Sequence, residues 1–205
     1  MTSPSLGLLP ATAHFEAVAI GASAGGVGAL IQLLAALPPA FSAVVLIAQH
    51  LDPQRKSVLA PLLERRCALP VREALDGDRL MRGIAYVSPP DRHLTVDQGR
   101  VALTQTVPVN FSRPSVDVLF MSVAKEYGTG AIGVILSGSG IDGARGLKAI
   151  KGGGGVTIVQ DPNGAEHSRM PLSALQTGCA DVMLPLEGIG PAIARLVLEG
   201  ERTAS

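Results

Sequence analysis

The chain has 205 residues, with 17 basic and 17 acidic side chains and a formal net charge of zero at neutral pH. This length allows one large domain with a buried core, and the balanced charge excludes the basic surface typical of a dedicated nucleic-acid-binding protein. No apolar run reaches the roughly 18 residues that span a membrane, and the first residues lack the basic start of a secretory signal. We therefore expect one domain over residues 15–200, a flexible leader over 1–14 and a tail over 201–205, without membrane insertion or a nucleic-acid partner.

Apolar runs rich in β-branched residues alternate with stretches of helical periodicity, which is typical of βαβ units around a mostly parallel sheet. In chain order, the predicted elements are strand 15–20, helix 25–37, strand 43–48, helix 57–66, short strands 71–73, 84–87, 93–96 and 100–104, helix 115–127, strand 131–136, helix 143–151, strand 156–160, helix 171–177, strand 182–184 and helix 189–198. The turn-like DQG separates the last two short strands, so the four predict a hairpin with β excursions beside the main sheet. The predicted fold is α/β, a doubly wound, mainly parallel sheet with an adjoining β hairpin.

The two cysteines of the chain are far apart in the sequence and belong to no metal-binding or redox motif. Cys67 and Cys179 stand alone, without a C-x-x-C spacing. Isolated cysteines of this kind suit a reducing compartment, in which they behave as small apolar residues. We therefore expect a cytoplasmic protein without a disulfide, a structural metal or a cofactor.

Three chemically reactive residues follow three predicted strands. Ser23 lies in GASAGG after the first strand, His50 in QHLDP after the second, and Asp142 in SGSGIDGARG after strand 131–136. In an open parallel sheet the carboxyl ends of the strands share one edge, where ligands bind. The sequence therefore predicts that these three side chains meet at that edge.

A serine, a histidine and an aspartate together can form a hydrolytic triad. The imidazole takes the proton of the serine, and the carboxylate orients the imidazole and stabilises its charge. Backbone N–H groups of Ala24 and Gly25, at the start of the first helix, would hold the developing oxyanion. Spacing alone leaves the triad open, because loop serines and single histidines are common.

The same glycine-rich loop could instead belong to a nucleotide-binding domain, but its details fit poorly. A dinucleotide fingerprint needs glycine where Ser23 stands and an acidic residue after the second strand, where His50 stands. No G-K-[ST] follows, as a P-loop requires. The order Ser, His, Asp also differs from the Ser, Asp, His order of α/β-hydrolases with a nucleophile elbow.

At these residues the sequence resembles the catalytic domain of the chemotaxis protein-glutamate methylesterases. The resemblance rests on seven segments in the family's order: GASAGG, QHLDP, SPPDRHL, RPSVDVLF, GVILSGSGIDGARGLKAI, QDPNGAEHSRMP and GCADVMLPL. It places the family's nucleophile, histidine and aspartate on Ser23, His50 and Asp142. It implies removal of methyl groups from glutamate γ-methyl esters on cytoplasmic helices of methyl-accepting chemoreceptors, with deamidation of receptor glutamines in many relatives.

The chain departs from the family pattern beside the predicted triad. Ala24 replaces a threonine of the usual GASTGG, and Ser139 replaces a methionine of the usual TGMGxDG, so the side chains shaping the pocket differ. Arg113 is expected either to bind an acidic receptor surface or to anchor a loop. Well-known relatives also carry an amino-terminal receiver domain, for which the leader is too short. Three alternatives stay open at this point: a stand-alone enzyme, a piece of a longer protein, or an enzyme regulated by a separate partner. A non-catalytic receptor-docking or signalling module with this fold is the alternative.

Overall fold

A computed structural model of the chain describes residues 14–54 and 56–204, and most of the predicted leader lies outside that part. Nine strands are found in it: β1 Ala17–Ala22, β2 Val44–Gln49, β3 Val71–Glu73, β4 Ala85–Val87, β5 His93–Asp97, β6 Arg100–Thr104, β7 Ala131–Ile135, β8 Val156–Gln160 and β9 Val182–Leu184. The α-helices there are α1 Gly26–Ala35, α2 Leu59–Glu64, α3 Val116–Tyr127, α4 Ala144–Gly152, α5 Arg169–Leu175 and α6 Leu186–Ala204. Single 3₁₀ turns, which the sequence did not predict, occur at Gly128–Gly130 and Pro162–Gly164.

Seven of the strands form one sheet in the order β3-β4-β2-β1-β7-β8-β9, and every neighbouring pair is parallel. The antiparallel pair β5-β6 forms a separate hairpin. The predicted fold class is thereby confirmed. The placement of 71–73 and 84–87 beside the main sheet was wrong, because β4 pairs in parallel with β2, β3 pairs in parallel with β4, and both strands extend the edge of that sheet. A three-residue strand carries too little pattern for the sequence to reveal its partner.

Helices cover both faces of this sheet. One core contains the apolar residues of α1, α2 and α6, while the other contains those of α3, α4 and α5 together with the hairpin. Side chains alternate along β1, so Val18 and Ile20 face the first core, and Ala17 and Ala19 face the second. The chain leaves β1 toward β2 and later returns to β7 on the other side of β1, which makes the gap between β1 and β7 the topological switch point.

The largest boundary error concerns the last helix, while β1, α2 and α5 each differ from the prediction by two residues at both ends. We predicted the last helix over residues 189–198, whereas α6 runs from Leu186 to Ala204 with Pro191 inside it, so residues 201–204 of the predicted tail continue the helix. Helix α5 begins at Arg169, two residues before the predicted start at Pro171. Pro171 lies in the first turn of α5, where a proline costs little, because the N–H groups there have no partner within the helix. Pro191 lies beyond the first turn of α6, and the helix nevertheless continues through it. No helix in the described part of the chain is long and apolar enough to cross a membrane.

Candidate active site

Ser23 and His50 meet because their strands end side by side. Ala22 of β1 is paired with Gln49 of β2, and the N–H of His50 donates a hydrogen bond to the carbonyl of Ala22 over 3.1 Å. Each strand then continues by one residue at the same edge of the sheet. The Oγ of Ser23 consequently lies 3.1 Å from the Nδ1 of His50.

Asp142 reaches the other nitrogen of the same imidazole. It lies in the loop between β7 and α4, and its Oδ2 is 2.9 Å from the Nε2 of His50. An ionised carboxylate can only accept hydrogen bonds, so this contact places a proton on Nε2 and leaves Nδ1 free to accept the proton of Ser23. The two nitrogens have exchanged the positions that they occupy in the serine-protease triad, where Nε2 faces the serine.

The carboxylate of Asp142 is buried against the N-terminus of α3. Besides His50, its donors are the Oγ of Ser115 at 2.8 Å, the N–H of Val116 at 2.6 Å, the N–H of Asp117 at 3.2 Å and the Nδ2 of Asn110 at 3.0 Å. Burial alone would raise the pKa of Asp142, but the hydrogen bonds from His50, Asn110 and Val116 outweigh it, and the pKa lies below its ordinary value. Asp142 is therefore ionised at neutral pH.

Gly21 allows α3 to approach the end of β1 this closely. A Cβ atom built on Gly21 would lie 2.2 Å from a γ-carbon of Val116. Any larger residue would displace the first turn of α3 and the N–H that it presents to Asp142. Gly21, the first glycine of the GASAGG motif, is therefore needed for the hydrogen bonds that α3 makes to Asp142.

A second buried carboxylate, Asp117, shares a donor with Asp142. The amide nitrogen of Asn110 lies 2.8 Å from Asp117 Oδ2 and 3.0 Å from Asp142 Oδ1, and the N–H of Gly146 donates to Asp117 Oδ1 over 2.7 Å. Burial, assisted by the charge of Asp142, raises the pKa of Asp117 above its ordinary value despite these hydrogen bonds. Asn110 is therefore the neutral group that lets two carboxylates lie close together.

We expect Asn110→Ala to make the domain less stable at neutral pH by about 1–3 kcal/mol, because two buried carboxylates lose a donor. The amide favours the ionised form of both groups, so its loss raises both folded-state pKa values. The penalty is then present where the carboxylates are ionised and shrinks as the pH falls and they take up protons. Chemical denaturation of the unsubstituted protein and of Asn110→Ala between pH 7 and pH 4 measures this loss of stability.

Gln105→Ala is the matched control, because Gln105 donates its amide to the exposed Asp91 over 2.8 Å. We expect Gln105→Ala to change the free energy of unfolding by less than about 0.5 kcal/mol. Asn110 also has a φ of +50°, which alanine tolerates less well, but this backbone cost does not depend on pH. A loss of stability in Asn110→Ala that is constant between pH 7 and pH 4 would contradict the shared-donor account.

Two backbone N–H groups in the loop after Ser23 are predicted oxyanion donors. The N–H of Ser23 itself donates to the carbonyl of Ser137 over 2.9 Å, whereas the N–H groups of Ala24 and Gly25 make no hydrogen bond to the part of the chain that the structure describes. Gly25 has a φ of +72°, and a Cβ there would lie 2.7 Å from the Oγ of Ser137. Glycine is required at this position, and the predicted oxyanion donors are available.

The other two predicted binding residues lie at the rim. Ser139 is exposed, and its Oγ is 3.3 Å from the Nδ1 of His167. Arg113 donates from Nε to Asp91 Oδ1 over 2.8 Å and from Nη1 to the carbonyl of Thr106 over 2.7 Å. The hydrogen bond from Arg113 holds the pKa of Asp91 below its ordinary value. Arg113 thus anchors a loop, which is one of the two roles that the sequence left open, and binding of a receptor by Arg113 stays a prediction.

Sequence reasoning missed several residues that contact the predicted triad. Asn110 and Ser115 donate hydrogen bonds to Asp142. The amide of Gln49 donates to the backbone carbonyls of Ser23 and His50. The Oγ of Ser112 lies 3.5 Å from the Nδ1 of His50. Only Gln49 had a usable signal, since a polar residue at the buried end of a strand must find a hydrogen-bond partner.

An open cavity of about 290 Å³ lies beside His50. Its lining includes Leu51, Phe111 and Ser112. Phe111 is fully exposed, and its φ of +62° is uncommon for a bulky residue. An aromatic ring held in water on such a backbone is a candidate for contact with a substrate.

A doubly wound α/β domain that joins a serine, a histidine and a buried aspartate by hydrogen bonds at its switch point has the arrangement typical of serine hydrolases. The model of the CheB methylesterase family matches residues 18–193. The chain belongs to this family.

Individual relatives agree with this assignment. The chain is 45% identical over 188 residues to a protein-glutamate methylesterase/protein-glutamine glutaminase of Moorella thermoacetica, covering 89% of this chain and 44% of the relative. It is 40% identical over 184 residues to a Leptospira interrogans protein whose provisional name gives the same two activities. This match covers 89% of this chain and 95% of the relative. The crystal structure of the Thermotoga maritima CheB methylesterase catalytic domain superposes with a TM-score of 0.85 and 33% identity, covering 89% of this chain and 98% of that one. The chain spans between 51% and 57% of the length of several other relatives.

Proposed function

We propose that this protein hydrolyses the γ-methyl esters of glutamates on methyl-accepting chemoreceptors and also deamidates receptor glutamines. The observation that carries the proposal is the hydrogen-bond chain from Ser23 through His50 to Asp142 in a member of the CheB methylesterase family. A non-catalytic docking module would not need this chain of contacts. The proposed substrates lie on cytoplasmic receptor helices, so we expect the protein to act in the cytoplasm.

The proposed reaction begins at Ser23. Its Oγ attacks the ester carbonyl carbon while the Nδ1 of His50 takes the hydroxyl proton. The N–H groups of Ala24 and Gly25 hold the oxyanion of the tetrahedral intermediate. The C–O bond to the methoxy group then breaks, the imidazolium returns its proton to the departing oxygen, and methanol leaves behind a glutamyl ester on Ser23.

Water completes the cycle by the same steps in reverse order. His50 takes a proton from water, the hydroxide attacks the glutamyl ester, and the returning proton releases Ser23 and the free glutamate. Asp142 keeps its charge throughout, holds the proton on Nε2 of His50 and stabilises the imidazolium. A glutamine amide would follow the same path with ammonia as the leaving group.

Phe111 lies where a receptor helix would approach His50. We expect Phe111→Ser to raise KM by about 5- to 50-fold while kcat stays within about twofold, since an apolar contact made equally in the ground and transition states affects binding alone. Steady-state methanol release from a methylated receptor fragment measures both constants. Because Phe111 is fully exposed, the variant should fold like the unsubstituted protein.

Leu75→Ser is the matched control, as Leu75 is also an exposed apolar residue but does not line the cavity beside His50. We expect KM to be unchanged in this control. An equal rise of KM in both variants, or none in Phe111→Ser, would contradict receptor binding by Phe111.

The function itself is tested by incubating the protein with a receptor fragment that carries isotopically labelled methyl esters. We expect labelled methanol to appear, together with ammonia when the fragment presents glutamines at the same positions. A protein that binds the fragment but releases neither product would contradict the proposed function and favour the docking module.

A further inference from the structure

Gln49, the last residue of β2, has its side chain on the face of the sheet that α1 covers. Val45 and Ile47 of the same strand face the core under α1, and the alternation along a strand puts Gln49 on that face as well. The residue is 3% exposed. An uncharged polar side chain in this position must hydrogen-bond within the protein.

The amide nitrogen of Gln49 joins the two residues at the start of the proposed reaction. Nε2 lies 2.8 Å from the carbonyl oxygen of Ser23 and 3.0 Å from the carbonyl oxygen of His50. Both carbonyls can only accept, so the NH₂ group must face them and the orientation of the amide is fixed. One side chain therefore spans the two loops that leave β1 and β2.

The oxygen of the same amide has no hydrogen-bond partner in the described part of the chain. Leaving a buried acceptor unpaired costs free energy, which a methionine or leucine at this position would avoid. A Cβ on Gly26 would lie only 2.4 Å from this oxygen, so the beginning of α1 is shaped to accommodate the amide. Because the unpaired Oε1 lowers the stability of the fold, we expect the hydrogen bonds of Nε2 to have a function.

From these contacts we infer that Gln49 is a positioning residue that fixes the distance between the Ser23 hydroxyl and the His50 imidazole by holding both backbones. The inference rests on the proposed hydrolase function, because it concerns the same site. Gln49 does not touch the reacting atoms. Its loss should slow the chemical step without weakening substrate binding.

The test compares Gln49→Met, which is of similar size and has no donor, with the unsubstituted protein. We expect kcat to fall by about 10- to 100-fold, as misplacement of reacting groups by about 1 Å does, with KM within twofold. The rate at which a fluorophosphonate labels Ser23 should fall in parallel, since it depends on the same serine and histidine. Gln32→Met, on the exposed side of α1, should leave both rates unchanged.

Gln49→Glu keeps the shape of the side chain and gives a second readout if Gln49→Met does not fold. An ionised carboxylate would repel both carbonyls, whereas a protonated one could donate to one of them. We expect the activity of Gln49→Glu, divided by that of the unsubstituted protein, to rise as the pH is lowered. A purely structural role for Gln49 would leave this ratio constant for the folded protein.

The two readouts separate this inference from the proposed function. If the unsubstituted protein is labelled at Ser23 but releases no methanol, the substrate proposal fails and the labelling rates of the variants still decide the role of Gln49. A folded Gln49→Met that keeps kcat and the labelling rate within twofold would overturn the inference. So would an unsubstituted protein whose Ser23 does not react at all.

Discussion

Ser23→Ala is expected to lower methanol release from methylated receptor by at least about a thousandfold, because the variant lacks the hydroxyl that forms the covalent ester. Ammonia release from receptor glutamines should fall by the same factor, since one nucleophile is proposed for both reactions. The residual rate would come from the N–H groups of Ala24 and Gly25 and from substrate binding. Rates should be measured under single-turnover conditions with both products followed.

Ser42→Ala is the matched control for this variant. Ser42 is half-buried and precedes β2 at the opposite edge of the sheet from Ser23, so its loss should leave the rate unchanged. Ser112 is the only other hydroxyl shown within 3.5 Å of the His50 Nδ1 in the described residues. Appreciable turnover by Ser23→Ala would point to Ser112 and contradict the assignment of the nucleophile.

Asp142→Asn is expected to lower kcat by about 10⁴-fold, with KM changed little. An asparagine amide that turned its NH₂ group toward His50 could not accept the Nε2 proton, so the imidazole would adopt the tautomer whose Nδ1–H cannot take the proton of Ser23. The same amide would face donors from Ser115, Val116 and Asn110. We therefore also expect the free energy of unfolding at neutral pH to fall by at least about 2 kcal/mol.

The stability difference should depend on pH in a stated direction. The pKa of Asp142 is lowered in the folded protein, so its ionisation contributes stability above the unfolded-state pKa, and the contribution disappears as the pH falls through the folded-state pKa. The difference between the unsubstituted protein and Asp142→Asn should therefore shrink in acid. Asp97→Asn, at the exposed end of β5, should change neither activity nor stability. A kcat within tenfold of the unsubstituted value for Asp142→Asn would contradict the proposed role of Asp142.

The meeting of Ser23, His50 and Asp142 could be predicted from the sequence because it depends on simple geometry. Each residue follows an apolar run long enough to identify as a strand, and parallel strands deliver their next residues to one edge. The hydrogen bonds between His50 and the other two residues agree with that prediction. Their catalytic roles stay a proposal.

The residues that support the site could not be predicted, because they depend on loop conformation. Asn110 reaches Asp117 and Asp142 only because its own backbone is left-handed, with a φ of +50°. No periodicity in the sequence indicates such a conformation at a non-glycine residue. The strands β3 and β4 were placed wrongly for a related reason, since β4 pairs with β2 across a long stretch of chain and β3 then pairs with β4.

Ala24 and Ser139, which depart from the family pattern, differ in how they affect the proposed site. The proposed reaction uses the backbone N–H of Ala24, and a side-chain difference leaves that donor in place. Ser139 is exposed and contacts His167, so it changes the rim of the site while leaving the hydrogen bonds of Ser23, His50 and Asp142 intact. Neither substitution removes a group that the proposed reaction uses.

The most direct test of the central claim is to react the unsubstituted protein with a fluorophosphonate and to locate the modified residue by peptide mass spectrometry. We predict a single modification, on Ser23. Modification of Ser112 or Ser115 in its place, or methanol release by a protein in which Ser23 stays unmodified, would contradict it.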